Sequence, residues 1–149
     1  MTDLIHSVLP TPRRKIAYIY PDDSVKKSIH LMAELDIGAL VVVDNDKNNK
    51  LIGILSERDI VRAFLNKGII DLEKTKVSDV VCRTVTILSP HDSVETAMEA
   101  MTATKRRHIL IRDESEELIA IISIGDLLYH LLEDKDRVIK QLENYIHTY

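Results

Sequence analysis

Two short segments bring together side chains with chemistry in them: Gly53-Ile54-Leu55-Ser56-Glu57-Arg58-Asp59 and Ala120-Ile121-Ile122-Ser123-Ile124-Gly125-Asp126. Each sets a serine hydroxyl and a carboxylate three residues apart, directly after an apolar run. Two readings are open at that spacing. In one, the serine caps a following helix and the aspartate meets the free amides and positive end of that helix. In the other, the same helix start attracts phosphate through its amides and hydroxyl, while an outward carboxylate accepts both hydroxyls of a ribose. The readings are compatible for Ser56 and Ser123 and less so for Asp59 and Asp126. No general base, nucleophile or metal set joins the one aspartate in each segment, so no catalytic residue is assigned and the chain is expected not to be an enzyme. The six histidines lack zinc-ligand spacing, so no metal is expected. The single Cys82 excludes an internal disulfide and reads as a small apolar packing residue.

The segments recur because the chain does. Pro21, Asp23, Ser24, Val25 and Met32 return as Pro90, Asp92, Ser93, Val94 and Met101 at an offset of 69 residues, and Leu51, Ile52, Ile54, Ser56 and Asp59 return as Leu118, Ile119, Ile121, Ser123 and Asp126 at an offset of 67. The two residues missing from the second copy fall in a polar stretch, Asn45 to Asn49 against Glu114 to Glu117, where a hairpin loop shortens without disturbing its strands. Within each copy the periodicity changes in one order. A short extended stretch, Ile16 to Tyr20 or Val85 to Leu88, stops at a proline. Ser24 or Ser93 then stands at an N-cap ahead of Val25, Ile29, Met32 and Ala33, or Val94, Met98 and Met101, on one helical face. The β-branched runs Leu40 to Val43 and Lys50 to Leu55, or Ile109 to Ile111 and Leu118 to Ile122, form a hairpin. Helical spacing returns with Ile60, Val61, Phe64 and Leu65, or Leu127, Leu128, Leu131 and Leu132.

Each copy therefore reads β-α-β-β-α, an α/β (α+β) unit too small to bury much alone, and the two are expected to pack as a pseudo-twofold pair through their sheets. The expected organisation is a lead-in over 1–14, repeat 1 over 15–65, a linker over 66–76, repeat 2 over 77–132 and a C-terminal helical extension over 133–149. In that extension Val138, Leu142, Tyr145 and Ile146 carry an apolar stripe. The stripe and the helix faces predict a homodimer.

Composition narrows the partners. At 149 residues the chain amounts to one module. The 20 basic residues are scattered against 24 acidic ones, for a net charge of −4, which argues against nucleic acid as the main partner. The longest apolar runs are strand-length and the start lacks a secretory pattern, so a soluble, cytoplasmic, membrane-free protein is expected.

The order of elements, the paired Ser-x-x-Asp signals and the stretches Gly38-Ala39-Leu40-Val41-Val42, Ser56 to Arg62 and Ser123-Ile124-Gly125-Asp126-Leu127 resemble tandem cystathionine-beta-synthase (CBS) domains, the pair known as a Bateman module. The resemblance runs from about Val8 to Ile146 and closely matches stand-alone bacterial two-repeat proteins. It implies clefts between the repeats that bind AMP, ADP, ATP, NAD or S-adenosylmethionine as a regulatory ligand, with no cofactor required, and an effector protein that reads the resulting change of shape. Carried over residue by residue, the ribose-binding carboxylate falls on Asp59 and Asp126, and the phosphate-side hydroxyl on Ser56 and Ser123. The adenine slot falls on Lys15, Ile16 and Ala17 or Thr84 and Val85, joined by Gly38 and Ala39 from the start of the second strand. Arg107, His108 and Arg58 stand at basic positions reaching toward phosphate. Ala120 replaces the usual glycine, and Gly125 stands opposite Arg58, so the two sites are not equivalent. Leu110 and Val81-Cys82 also depart from the family pattern. The alternative is a ligand-free dimeric scaffold in which Ser56, Asp59, Ser123 and Asp126 serve only as caps.

Overall fold

The computed structural model describes residues 3–10, 14–44, 50–68, 71–133, 139 and 143. Its chain divides into two units, one formed by Lys15–Val85 and the other by Met1–Arg14 with Thr86–Tyr149. In the first unit, β1 (Tyr18–Ile19) leads through α1 (Val25–Leu35) to β2 (Ala39–Val43), β3 (Leu51–Ser56), α2 (Glu57–Lys67) and the one-turn α3 (Val77–Val80). The second unit repeats this order with β4 (Ile87–Leu88), α4 (Val94–Thr104), β5 (His108–Arg112), β6 (Leu118–Ser123) and α5 (Ile124–Glu133). Each unit holds a three-stranded sheet, in the order β1-β2-β3 or β4-β5-β6. The β-α-β-β-α order expected from the repeat is present in both.

Local chemistry explains why the motif Pro-x-Asp-Ser recurs. The Asp23 carboxylate accepts the Tyr20 N–H at 3.0 Å, and Asp92 accepts the Ser89 N–H at 2.8 Å, closing the turn after the first strand. The next residue caps the helix: Ser24 Oγ accepts the Lys27 N–H and Ser93 Oγ the Thr96 N–H, at 3.1 and 3.0 Å. Both helices end on a left-handed residue without being glycine, Asp36 at φ 53° and Lys105 at φ 56°. The central strand of the first unit is buried along its whole length, which is why Ala39 to Val43 reads as a continuous apolar run without alternation.

Two cores result, one per unit, and they match position for position. Val25, Met32, Leu40, Val42, Leu55 and Ile60 of the first correspond to Val94, Met101, Ile109, Ile111, Ile122 and Leu127 of the second. Each core is completed by a residue from outside the five repeated elements. Val77 of α3 is fully buried in the first unit, and Ile5, in a short 3-10 turn (Ile5–Ser7), is fully buried in the second. The backbone pairing agrees: Val77 and Ser78 donate to the Asp23 and Pro21 carbonyls, while Ile5 and His6 donate to the Asp92 and Pro90 carbonyls. The stretch read as a lead-in thus serves repeat 2 as residues 75–80 serve repeat 1.

The second helices differ from expectation. Of Ile60, Val61, Phe64 and Leu65 only Ile60 is buried, and of Leu127, Leu128, Leu131 and Leu132 only Leu127 is. In α2 the inward face is Asp59, Ile60 and Ala63. The physical cause is that the helix is pinned by its capped N-terminus, which turns the carboxylate inward and leaves a second apolar stripe outside. The expected hairpin loop of the first repeat, Asn45 to Asn49, and most of the C-terminal extension, including Val138, Leu142, Tyr145 and Ile146, lie outside the described residues, while in the second repeat the Asp113 carboxylate closes the loop by accepting the Ser115 and Glu117 N–H groups at 2.9 and 3.0 Å. Among the described residues, no helix is long and apolar enough to cross a membrane.

Candidate functional site

In each unit the serine and aspartate of the repeated signal close a ring at the start of the second helix. Asp59 Oδ2 accepts the Ser56 N–H and the Ser56 hydroxyl, both at 2.9 Å, while Ser56 Oγ accepts the Asp59 N–H at 3.3 Å. In the second unit Asp126 Oδ2 accepts the Ser123 N–H at 2.9 Å and Ser123 Oγ accepts the Asp126 N–H at 3.1 Å. These are reciprocal capping arrangements, each satisfying two otherwise orphaned backbone donors. The capping reading of the motif is therefore observed, and it uses one carboxylate oxygen in each aspartate.

The start of the second strand is tied to this helix start. The Gly38 carbonyl accepts the Glu57 N–H at 3.0 Å, and the Arg107 carbonyl accepts the Ile124 N–H at 2.8 Å. Strand register places Ala39 opposite Ser56 and His108 opposite Ser123. In the first unit β1 runs parallel to β2 with Tyr18 beside Val41, so Ala17, Ile16 and Lys15 continue toward the sheet end where Ala39 and Gly38 begin. The structure thus gathers Lys15, Ile16, Ala17, Gly38, Ala39, Ser56, Arg58 and Asp59 at one sheet end. In the second unit Arg107, His108, Ser123 and Asp126 share the equivalent place. Thr84 and Val85 fall within the unit of the first repeat. Lys15, Arg58 and Arg107 are exposed.

The two aspartates are unequal. Asp59 is 7% exposed, buried among polar and apolar neighbours. The Asp126 side chain is 26% exposed and its second oxygen, Oδ1, accepts from Arg14 Nη2 at 2.8 Å. Burial works to raise the Asp126 carboxyl, but the Ser123 N–H, the Arg14 guanidinium and the Ser123 hydroxyl together outweigh it and hold the group below its ordinary value. Arg14 was not among the residues the sequence pointed to. Its signal was the basic run Arg13-Arg14-Lys15, next to a residue already assigned to the site.

Gly53 owes its type to a close approach. A Cβ there would lie 2.0 Å from the Cys82 carbonyl oxygen. Ile54 and Cys82 exchange two backbone hydrogen bonds at 3.0 Å, which carry the chain past β3 on its way to the second repeat. The residue matching Cys82 in the second unit, counted from the shared pairing of Ile5 and Val77, is Pro10, which has no N–H to give. Among the described residues the Ile54–Cys82 pairing has no counterpart at Ile121, and Ala120 stands where Gly53 does.

The CBS-domain family model matches residues 5–66 and 77–133. The chain belongs to the CBS-domain family. Its two CBS repeats are 32% identical over 128 residues to the CBS domain-containing protein CBSX3, mitochondrial, of Arabidopsis thaliana, covering 84% of this chain and 61% of that one. The chain thus spans less than two thirds of that relative. The crystal structure of a CBS-domain-containing protein from Agrobacterium tumefaciens superposes with a TM-score of 0.77 at 29% identity, covering 87% of this chain and 93% of the other. Two further CBS structures share the fold. One, from Pyrobaculum aerophilum and complexed with AMP, has a TM-score of 0.70 at 23% identity over 87% of this chain and 98% of its own. The other, a CBS-domain pair in complex with 5′-methylthioadenosine and S-adenosyl-L-methionine, has a TM-score of 0.73 at 17% identity over 91% of this chain and 99% of its own.

Proposed function

We propose that this CBS chain is a sensor module that binds an adenosine-containing molecule at the sheet ends marked by Ser56–Asp59 and Ser123–Asp126, and signals occupancy by a change of shape to an effector protein. The observation that carries this reading is the convergence, in each unit, of a capped helix start, a carboxylate and the start of the second strand. That set matches a ribose and its phosphate: amides and hydroxyl for the anion, carboxylate for the diol. Arg58 in one repeat and Arg107 with His108 in the other supply the positive charge. The ligands of the two CBS structures sharing this fold, AMP and the pair 5′-methylthioadenosine and S-adenosyl-L-methionine, have an adenosine group in common. AMP, ADP, ATP, NAD and S-adenosylmethionine are the candidates for this chain, acting as regulatory ligands of a homodimer and not as cofactors.

One observation favours a second reading for the first repeat. Asp59 is buried and engaged by Ser56 through a hydroxyl and an N–H, which is sufficient reason for its presence as a cap. The test is thermal unfolding with each candidate at millimolar concentration, where a ligand at a hundredfold excess over Kd stabilises the native state by about 2.7 kcal/mol. A rise with at least one adenosine compound, reduced by Asp126→Asn or Asp59→Asn, is expected. No rise with any compound leaves the scaffold reading in possession.

A further inference from the structure

The second repeat already holds a cation where a ligand would have to sit. Arg14 reaches Asp126 Oδ1 at 2.8 Å, on the carboxylate oxygen that the Ser123 cap leaves over. The arginine side chain is 65% exposed. Earlier in the chain, the N-terminal stretch is anchored to the same unit by Ile5 in the core, by backbone bonds to residues 90–94 and by Asp3 Oδ2 on His130 Nε2 at 3.1 Å.

We propose that Arg14 is a resident competitor for the Asp126 carboxylate, so that the second-repeat site takes an adenosine compound only by displacing a side chain of its own chain. The inference rests on the proposed reading of Asp126 as a ribose-binding group. A diol that donates its hydroxyl hydrogens to the carboxylate needs the carboxylate's outward face, and Arg14 stands on it. Arginine makes the better partner on charge, the diol on geometry, so neither excludes the other outright. An exposed pair of this kind is weak, which puts the cost to ligand affinity at about twofold to fivefold. It also gives the competition a signature. Salt screens the Arg14–Asp126 pair and leaves an uncharged ligand untouched, so the affinity for a neutral nucleoside should increase with ionic strength, opposite to the usual dependence for a nucleotide.

Calorimetric titration of the full chain with adenosine, at low and high salt, tests this. Wild type should bind more tightly as salt rises. Arg14→Ala and Arg14→Gln should bind about twofold to fivefold more tightly than wild type at low salt and lose the salt effect, while Arg14→Lys, which keeps the charge, should retain it. Asp126→Asn in the Arg14→Ala background should weaken binding about tenfold or more. If Asp126→Asn weakens binding but removing Arg14 changes neither affinity nor salt dependence, the competitor is refuted and the site reading stands. If adenosine binding is absent throughout, or indifferent to Asp126→Asn in the Arg14→Ala background, the site reading fails and the competitor falls with it.

Discussion

At the scale of single residues, the two repeats diverge at Gly53 against Ala120 and at Asp59 against Asp126, and each divergence has a local cause. Gly53 lies against the Cys82 carbonyl, with no room for a methyl group. Gly53→Ala is expected to destabilise by about 1 to 3 kcal/mol, since backbone and not a flexible side chain must move. Ala120→Gly should cost no more than about 1 kcal/mol, the backbone-entropy term alone. Denaturant unfolding of both variants decides it, and equal effects would show that the close approach is not what selects glycine. The Asp126 carboxyl is held below its ordinary value of 3.8. A depressed carboxylate contributes stability that is fully present above its unfolded value and is lost as pH falls through the folded one. Wild type should therefore lose Tm more steeply than Asp126→Asn below about pH 4, the two curves converging in acid. Parallel acid limbs would contradict the pairing.

At the scale of elements, residues 3–10 belong to the second core even though they open the chain. Ile5→Ala removes a fully buried side chain from the cluster of Val94, Met101, Ile109 and Ile122, and should cost about 2 to 5 kcal/mol. Val77→Ala, at the matching place in the first core, should cost less in proportion to the smaller side chain. Thermal unfolding of the two variants checks the correspondence. An Ile5→Ala variant as stable as wild type would mean that the arm is not docked. The spacing of Ile5 and Val8 against Val77 and Val80 carried this correspondence, but a three-residue insertion before β1 hides it from a comparison at the offset that aligns the rest.

At the scale of the whole molecule, the second helices leave apolar side chains exposed at equivalent places: Val61 and Leu65 in the first repeat, Leu128 and Leu132 in the second. Leu65 is 79% and Leu132 62% exposed. Apolar surface exposed at equivalent places of the two repeats suits a second copy of the chain as its partner. Light scattering at micromolar concentration should give a dimer for wild type and a monomer for the Leu65→Asp, Leu132→Asp double variant. A monomeric wild type would sink the homodimer.

What the sequence determined by itself was everything governed by neighbours along the chain. The repeat, the order of its elements, the capping serines and the hairpins follow from local spacing, because period, propensity and caps act within a few residues. The identity of the fold followed from the same signals. The choice between cap and ligand group at Ser-x-x-Asp did not, since both need the same residues at the same spacing. Tertiary structure decided what distance in sequence conceals: that α2 turns Asp59 inward and Leu65 outward, that Ile5 completes a core begun at Val94, and that Arg14 closes on a carboxylate 112 positions away. Each of these depends on which surfaces meet once the sheet and helices pack, and no local period encodes that meeting.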